Sequence, residues 1–431
     1  MADTQVLDGI YKDFYEDFVA EQVNNRTPLK DLWRFEEMPY GGREVVYAAK
    51  VGRNVSPFPT GEGSAFADAG SQKHVQVRVT AKKLMARIEL TREALADSAR
   101  SEFAFKNARR DEMDGLIDDI ARRVENLLCL DGRGVLAHLN GDPGSSTTVE
   151  LKNPGGVTGT TFGNRYVQVG MYVGAVDPGT GQLRSGIRKV IAANPDGTDI
   201  TIDSAAPAAW ADGDWLVQAA NASVTDILDT SYENAFWGIL ALIDDGTYRN
   251  DYCGVDRAQF PAYQAYVKAS AGAYSVDLIQ QASDVVDQKL GGQLTDLLMH
   301  HSVRRLYLQA LDADRRYTGE KLLRPDEGTA AIKQGDVTLG EVPIHVIRDF
   351  PFNTIVGLDR KASGFVCYVS EKGKWVDEDG SVLVRVGTGS SARDKFEAWY
   401  VIRKQFHAKS PGKNFRIDGI TGAQIVVVRA E

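Results

Sequence analysis

Two runs of β-type residues, Arg43–Val51 and His74–Leu90, are separated by Gly52–Lys73, a stretch rich in Gly, Ser, Ala and Pro. A connection of about twenty residues with no structure of its own is uncommon inside a compact domain. Where one occurs, it usually reaches out or binds. In the return run, Val75, Val77 and Val79 alternate with polar residues, the period of a strand with one buried face. The pattern predicts a long hairpin with a reaching tip, in a chain that does not close entirely on itself.

The segment after the hairpin adds a second elongated part. From Ser101 to Leu130, Met113, Leu116, Ile117, Ile120, Val124, Leu127 and Leu128 recur at three- and four-residue steps, with no proline. Such a helix runs about 40 Å and acts as a strut. Arg122 and Arg123 with Glu125 read as a solvated or intersubunit face. Asp131-Gly132-Arg133-Gly134 stops it. Near the start of the chain, Leu7, Ile10, Tyr11, Phe14 and Phe18 give Gln5–Val23 helical spacing, among Asp8, Asp13, Glu16, Asp17 and Glu21 and a single Lys12. Asn24-Asn25-Arg26-Thr27-Pro28 breaks it, and Leu29, Leu32, Trp33 and Phe35 follow as anchors of an extended stretch.

Gly141–Ala220 differs in texture. It holds many glycines and short β-like runs, Tyr166–Val169, Lys189–Ala192, Asp199–Ile202 and Trp215–Gln218, separated by turns such as Asp177-Pro178-Gly179. It reads as a small all-β module within a mixed chain. Beyond it, Ser275–Leu290 reads as a helix ended by Gly291-Gly292, and Ser302 as the cap of another carrying Val303, Leu306 and Leu311. Val342–Ile347, Gly364–Val369, Val382–Val386, Lys395–His407 and Ala423–Val428 read as strands.

Composition narrows the function. The chain has 431 residues, enough for two or three domains, with 50 Lys+Arg against 59 Asp+Glu and a formal net charge of −9. No basic block is present, which argues against a dedicated nucleic-acid binder. The longest apolar run, Ala235–Ile243, falls well short of the about 20 residues a bilayer crossing needs. The start shows neither basic nor apolar leader character, so no secretory signal is expected. Cys129, Cys253 and Cys367 are widely spaced, which predicts neither a disulfide framework nor a cysteine zinc site, in a reducing compartment.

The search for chemistry returns little. Gly387-Thr388-Gly389-Ser390-Ser391-Ala392 matches the dinucleotide pattern G-x-G-x-x-A, but the following Lys395–Ile402 alternates like a strand where a helix is required. His300-His301 cannot converge on one metal and reads as a helix-start pair. Asp244-Asp245-Gly246 and Asp377-Glu378-Asp379-Gly380 read as acidic turns, since neither has the calcium-loop spacing. No catalytic residue, cofactor site or metal site is assigned.

The order of these segments resembles the tailed-phage major capsid proteins of the HK97-like fold. The likeness rests on Gly61-Glu62-Gly63, Lys82–Ile88, Leu90–Ser98, the long helix and Asp131–Leu136. It continues through Trp237–Asp245, Ser302–Tyr307, Leu339–Ile344, Phe396–Arg403 and Phe415–Gly419. It implies an α+β chain with an N-terminal arm (1–42), an extended E-loop (43–90), a peripheral domain with the spine helix (91–140), an inserted β-rich domain (141–222), a mostly axial domain (223–375) and returning strands (376–431). About forty residues precede the E-loop, so any scaffolding is expected from a separate protein.

Function follows as an expectation from that resemblance. It implies a structural, non-enzymatic subunit that assembles in pentamers and hexamers into an icosahedral virion head around double-stranded DNA, made in a bacterial cytoplasm. Portal, scaffolding and decoration proteins would be its partners, without membrane contact or tight DNA binding. Trp33, Phe35, Arg53, Phe58, Glu62, Lys82, Lys83, Arg87, Arg122 and Arg123 are the expected assembly contacts. Covalent cross-linking through Lys82 or Lys83 is not expected, and the β-rich module is expected to face outward. An encapsulin-type compartment remains the alternative within the fold. Outside it, a nucleotide-cofactor enzyme using Gly387–Ala392 and a carbohydrate-binding β protein remain open.

Overall fold

The computed structural model describes residues 28–38, 44–63, 65, 68–93, 108–158, 162–194, 197–315, 338–339, 342–376, 382–386 and 393–422. The expected helix at Gln5–Val23 and strand at Ala423–Val428 lie outside them, as do Gly387–Ala392 and Asp377–Gly380.

The first strand, β1 (Arg34–Glu37), follows a short helical turn at Lys30–Leu32. Strands β2 (Glu44–Gly52) and β3 (Lys73–Thr80) pair antiparallel from Glu44↔Thr80 to Gly52↔Lys73, the predicted hairpin. The single return strand expected over His74–Leu90 is two strands. It breaks at Ala81, and β4 (Lys82–Thr91) leaves the hairpin to pair with Lys395–Ala408 from Lys404↔Lys82 to Lys395↔Thr91. Across Ala81 the covered positions shift from odd (Val77, Val79) to even (Ile88, Leu90), a change of phase that marks the break, although period-2 patterning does not say which sheet supplies the buried face.

Helix α1 (Ala108–Leu128) is the strut, about 31 Å long at the α-helical rise. Its Ile120, Val124, Leu127 and Leu128 are buried, while Glu112, Asp118 and Asp119 face outward. It ends against Gly238, where a Cβ would lie 2.0 Å from the Leu130 carbonyl oxygen, so only glycine lets the two backbones meet.

Six strands then close a barrel: β5 (Val135–Leu139), β6 (Thr148–Lys152), β7 (Tyr172–Val176), β8 (Arg188–Ala193), β9 (Asp199–Ile202) and β10 (Trp215–Ala219), in the order β10-β5-β6-β9-β8-β7. The run expected as a strand at Tyr166–Val169 is a 3-10 turn at Gly163–Tyr166 followed by loop. The barrel also starts before residue 141, because β5 supplies one of its staves.

Most of the remainder forms two mixed sheets, besides two small two-stranded pairs. In one, β1 lies parallel to Phe365–Trp375, which pairs with the 14-residue strand Lys395–Ala408. The short Val384–Arg385, smaller than the expected Val382–Val386, adds to its edge. The other sheet runs in the order Tyr266–Lys268, Phe415–Ile417, Ile355–Leu358, Asp296–Met299, Val342–Val346, Thr338–Leu339. The helix Val276–Leu290, N-capped by Ser275 and closed by Gly291 at φ 66°, buries Ile279, Ala282 and Val286 in the same core as this sheet. The helix His301–Arg315 starts one residue before its expected cap. His300 does the capping, its Nδ1 accepting the Ser302 N–H at 3.1 Å, while the Ser302 hydroxyl donates to the Phe352 carbonyl.

Candidate assembly surfaces

The hairpin has two unlike faces. Val45, Tyr47, Ala49, Val51 and Val75 pack against the main core, and Val77 and Val79 are fully buried within it. The opposite face carries Val46 (48% exposed), Ala48 and Lys50 against Arg78, Gln76 and His74. Beyond Gly52 the two legs are tied by Asn54, whose Nδ2 donates to the Gly70 carbonyl at 3.0 Å while its Oδ1 accepts the Ser56 N–H at 2.8 Å. Val55 (86% exposed) and Phe58 (48%) stand uncovered, beside exposed Arg53 and Glu62. A ribbon that leaves Val46, Val55 and Phe58 uncovered among polar side chains, with no further strand paired to it, is a surface that proteins ordinarily cover.

At its base the hairpin is pinned by polar bonds that the sequence did not disclose. The Tyr47 hydroxyl meets His407 Nε2 at 2.6 Å, and the Cys253 sulfur lies 3.7 Å from His407 Nδ1. Burial pushes the His407 pKa down to about 3 and the Tyr47 hydroxyl well up, so both stay neutral. The Arg78 N–H donates to the Cys253 carbonyl at 2.8 Å. All three cysteines are buried thiols without a disulfide.

The expected contact residues divide into exposed and internally engaged groups. Phe35 (47% exposed), Arg53, Phe58, Glu62, Lys83 and Arg87 lie on the surface. Arg87 pairs with Glu89 at 2.9 Å and Glu397 at 3.2 Å. Trp33 is instead a core residue, with its ring edge-on to Phe365 and Phe406 at 5.1 Å each. The Lys82 ammonium donates to the Glu233 carbonyl at 2.6 Å, and burial lowers its pKa. Arg123 donates to Gln218 at 2.8 Å, joining α1 to β10, and Arg122 beside it is half-buried. Nor is Glu125 on a solvated face. It is buried, accepts the Leu29 N–H at 2.7 Å, and burial raises its pKa to about 7. The last turn of α1 thus caps the turn that leads into β1.

The acidic turn at Asp244 is also more than a turn. Its buried carboxylate accepts the N–H groups of Gly246, Tyr248 and Arg249 and meets Arg257 at 3.2 Å and Arg416 at 3.1 Å. Both arginines also donate to carbonyls at the end of the short helix Ile239–Leu242, Arg257 to Ala241 and Leu242, Arg416 to Leu240 and Ile243. With Asp418 taking Arg416 Nε at 2.8 Å, two anions balance the two cations, which also satisfy the orphan acceptors of a buried helix end. A sequence reading had no access to partners 13 and 172 residues away.

Among the described residues no group of His, Cys, Asp and Glu could hold a metal. The helix that a dinucleotide loop at Gly387–Ala392 would require is a β-strand, Lys395–Ala408. No described helix is long and apolar enough to cross a membrane.

No family model and no curated protein matches the sequence. Solved structures do. A chain of the cyanophage A-1(L) capsid asymmetric unit superposes with TM-score 0.55 at 11% identity, over 98% of this chain and 99% of that one. The capsid of a native GTA particle gives 0.52 at 9% identity over 96% of both chains, and that of an empty GTA particle 0.51 at 9% over 97% and 98%. At such identities the likeness is one of fold, and it runs end to end: the chain has the α+β fold of these capsid chains, the HK97-like architecture expected from its sequence.

Proposed function

We propose that this chain is the major capsid protein of a tailed bacteriophage, a structural subunit whose copies close into an icosahedral head. The observation that carries the reading is the end-to-end likeness to capsid chains, which leaves neither chain with a large unmatched part. The uncovered hairpin supports it, because Val46, Val55 and Phe58, which one copy leaves exposed, are buried when a neighbour lies against them. Phe35, Arg53, Phe58, Glu62, Lys83 and Arg87 are the contacts we assign to that lattice, and weak single contacts become strong when each copy makes several at once. Trp33, Lys82 and Arg123 serve it indirectly, by holding the body on which those contacts are mounted.

The shell would form pentamers and hexamers around double-stranded DNA in a bacterial cytoplasm, with portal, scaffolding and decoration proteins as partners. Its net charge of −9 suits a container that must not grip phosphate. The domain division expected from the sequence is part of this proposal, with the β-rich unit facing outward so that it does not compete with the packaged genome.

The test is negative-stain electron microscopy of the purified full chain, with sedimentation. Closed shells or five- and six-membered rings are expected. A monodisperse monomer across salt and concentration, alone and with a co-expressed scaffolding protein, would overturn the proposal. Shells recovered from cells with enclosed protein and no nuclease-resistant DNA would assign the same fold to an encapsulin-type compartment.

A further inference from the structure

An open groove of about 1070 Å³ runs between the β1 segment and the end of the second sheet. Leu32, Trp33, Leu294, Val342, Phe365 and Val366 give it an apolar lining. Four exposed cations stand along it: Arg34, Arg360, Lys361 and Lys409. Its acids are Glu36, paired with Arg34 at 3.5 Å, and Asp296 and Asp359. The last two are buried and used internally. Asp296 takes His345 at 2.7 Å and the rim's Arg360 at 3.6 Å, and Asp359 accepts the N–H groups of Ala362 and Gln293. Among the described residues neither Lys361 nor Lys409 has an anionic partner. The groove is therefore apolar within and net positive at its rim, and its size and open mouth suit a segment of chain better than a small molecule.

We propose that this groove is the docking site of this chain's own residues 5–23. That segment carries the complementary pattern: Leu7, Ile10, Tyr11, Phe14 and Phe18 at helical spacing, with five acidic residues against Lys12 alone. An apolar stripe flanked by acids fits an apolar groove flanked by bases, the mode by which helices are held in grooves. Its own copy is favoured because its root is already there. Leu32, Trp33 and Arg34 line the groove, and the intervening residues 24–28 reach about 17 Å when extended, enough to turn back along it. The inference holds whether or not the chain builds shells.

The test is photo-cross-linking of the full chain bearing Phe14→benzoylphenylalanine, with peptide mapping by mass spectrometry. Equal amounts of ¹⁴N- and ¹⁵N-labelled protein are mixed before illumination. Cross-links from position 14 to peptides containing Trp33, Leu294 or Phe365 are expected, in same-isotope pairs, and the double substitution Arg360→Glu, Lys361→Glu should cut their yield several-fold. Cross-links to other surfaces overturn the site. Mixed-isotope pairs overturn the commitment to the same copy, and an unchanged yield overturns the charge pairing. Microscopy of the same samples separates this result from the shell reading: shells with cross-links elsewhere remove the docking alone, and groove cross-links without shells remove the shell alone.

Discussion

The barrel β5–β10 and the hairpin β2–β3 are built from the same kind of strand and end in opposite states. The barrel closes on itself and fills its interior with its own side chains, Leu136, Val149, Leu151, Val173, Ile200, Leu216 and Trp210 among them. The hairpin has no core of its own. One face borrows the main core through Val77 and Val79, and the other is left to solvent. Closure removes edges and makes a domain self-sufficient, whereas an open two-stranded ribbon is marginal until something lies against it. One chain thus keeps a finished part and an unfinished part side by side, and the unfinished part is where a neighbour can be read into the structure.

The difference can be broken by substitution. Trp210→Ala should cost about 3–5 kcal/mol in urea unfolding, because a fully buried indole has only the barrel core around it. A loss below about 1 kcal/mol would mean that the barrel does not depend on a single packed interior. Val77→Ala, at the hairpin base, should cost about 2 kcal/mol, and the loss should be accompanied by faster proteolysis within 52–73. Cleavage unchanged from the parent would mean that the base does not hold the hairpin.

Acid should act on the pin through a histidine held neutral by burial. The folded-state pKa of His407 is depressed to about 3 from its ordinary 6.5, so the native state resists protonation. Its contribution is complete above about pH 6.5 and is lost as pH falls toward 3, by roughly 2 kcal/mol at pH 5. His407→Gln should flatten stability against pH by about one proton over that window, read from urea midpoints at pH 7 and 5. An unchanged slope would show that the imidazole is not held neutral against Tyr47 and Cys253. The smallest effect on folding belongs to the exposed loop beyond Gly52. Phe58→Ser should change unfolding by about 0.5 kcal/mol or less and still reduce the yield of shells in sedimentation. Normal shell yield would remove Phe58 from the lattice contacts.

What could be read beforehand follows the same divide. Alternation at Val75, Val77 and Val79 announced the hairpin, and the stripe from Leu116 to Leu128 announced α1, because each buries one face and exposes another. β5 was missed as a stave because Val-Leu-Ala-His-Leu is buried on both faces apart from a half-covered histidine, and a strand buried all round has no period to show. Glu125 and Arg123 looked solvated because charge on a helix usually is. Nothing local announces that Leu29 and Gln218 stand opposite them. Trp33 looked like an anchor for another subunit, and its aromatic character predicted burial without saying in whose core. The groove rim was illegible for a related reason, since Arg34, Arg360 and Lys409 come from three distant stretches of chain.

The way the chain enters and leaves the barrel has a consequence for inheritance. β5 and β10 are hydrogen-bonded neighbours, with His138 opposite Trp215 and Ala137 opposite Leu216, so the chain goes in and comes out through strands about 4.8 Å apart. A unit attached at two adjacent points can be gained, lost or traded between lineages without re-threading anything around it, because a short connection restores the path. The same doorway is a grafting point, where a foreign domain with neighbouring ends could be carried in place of the barrel, once per copy.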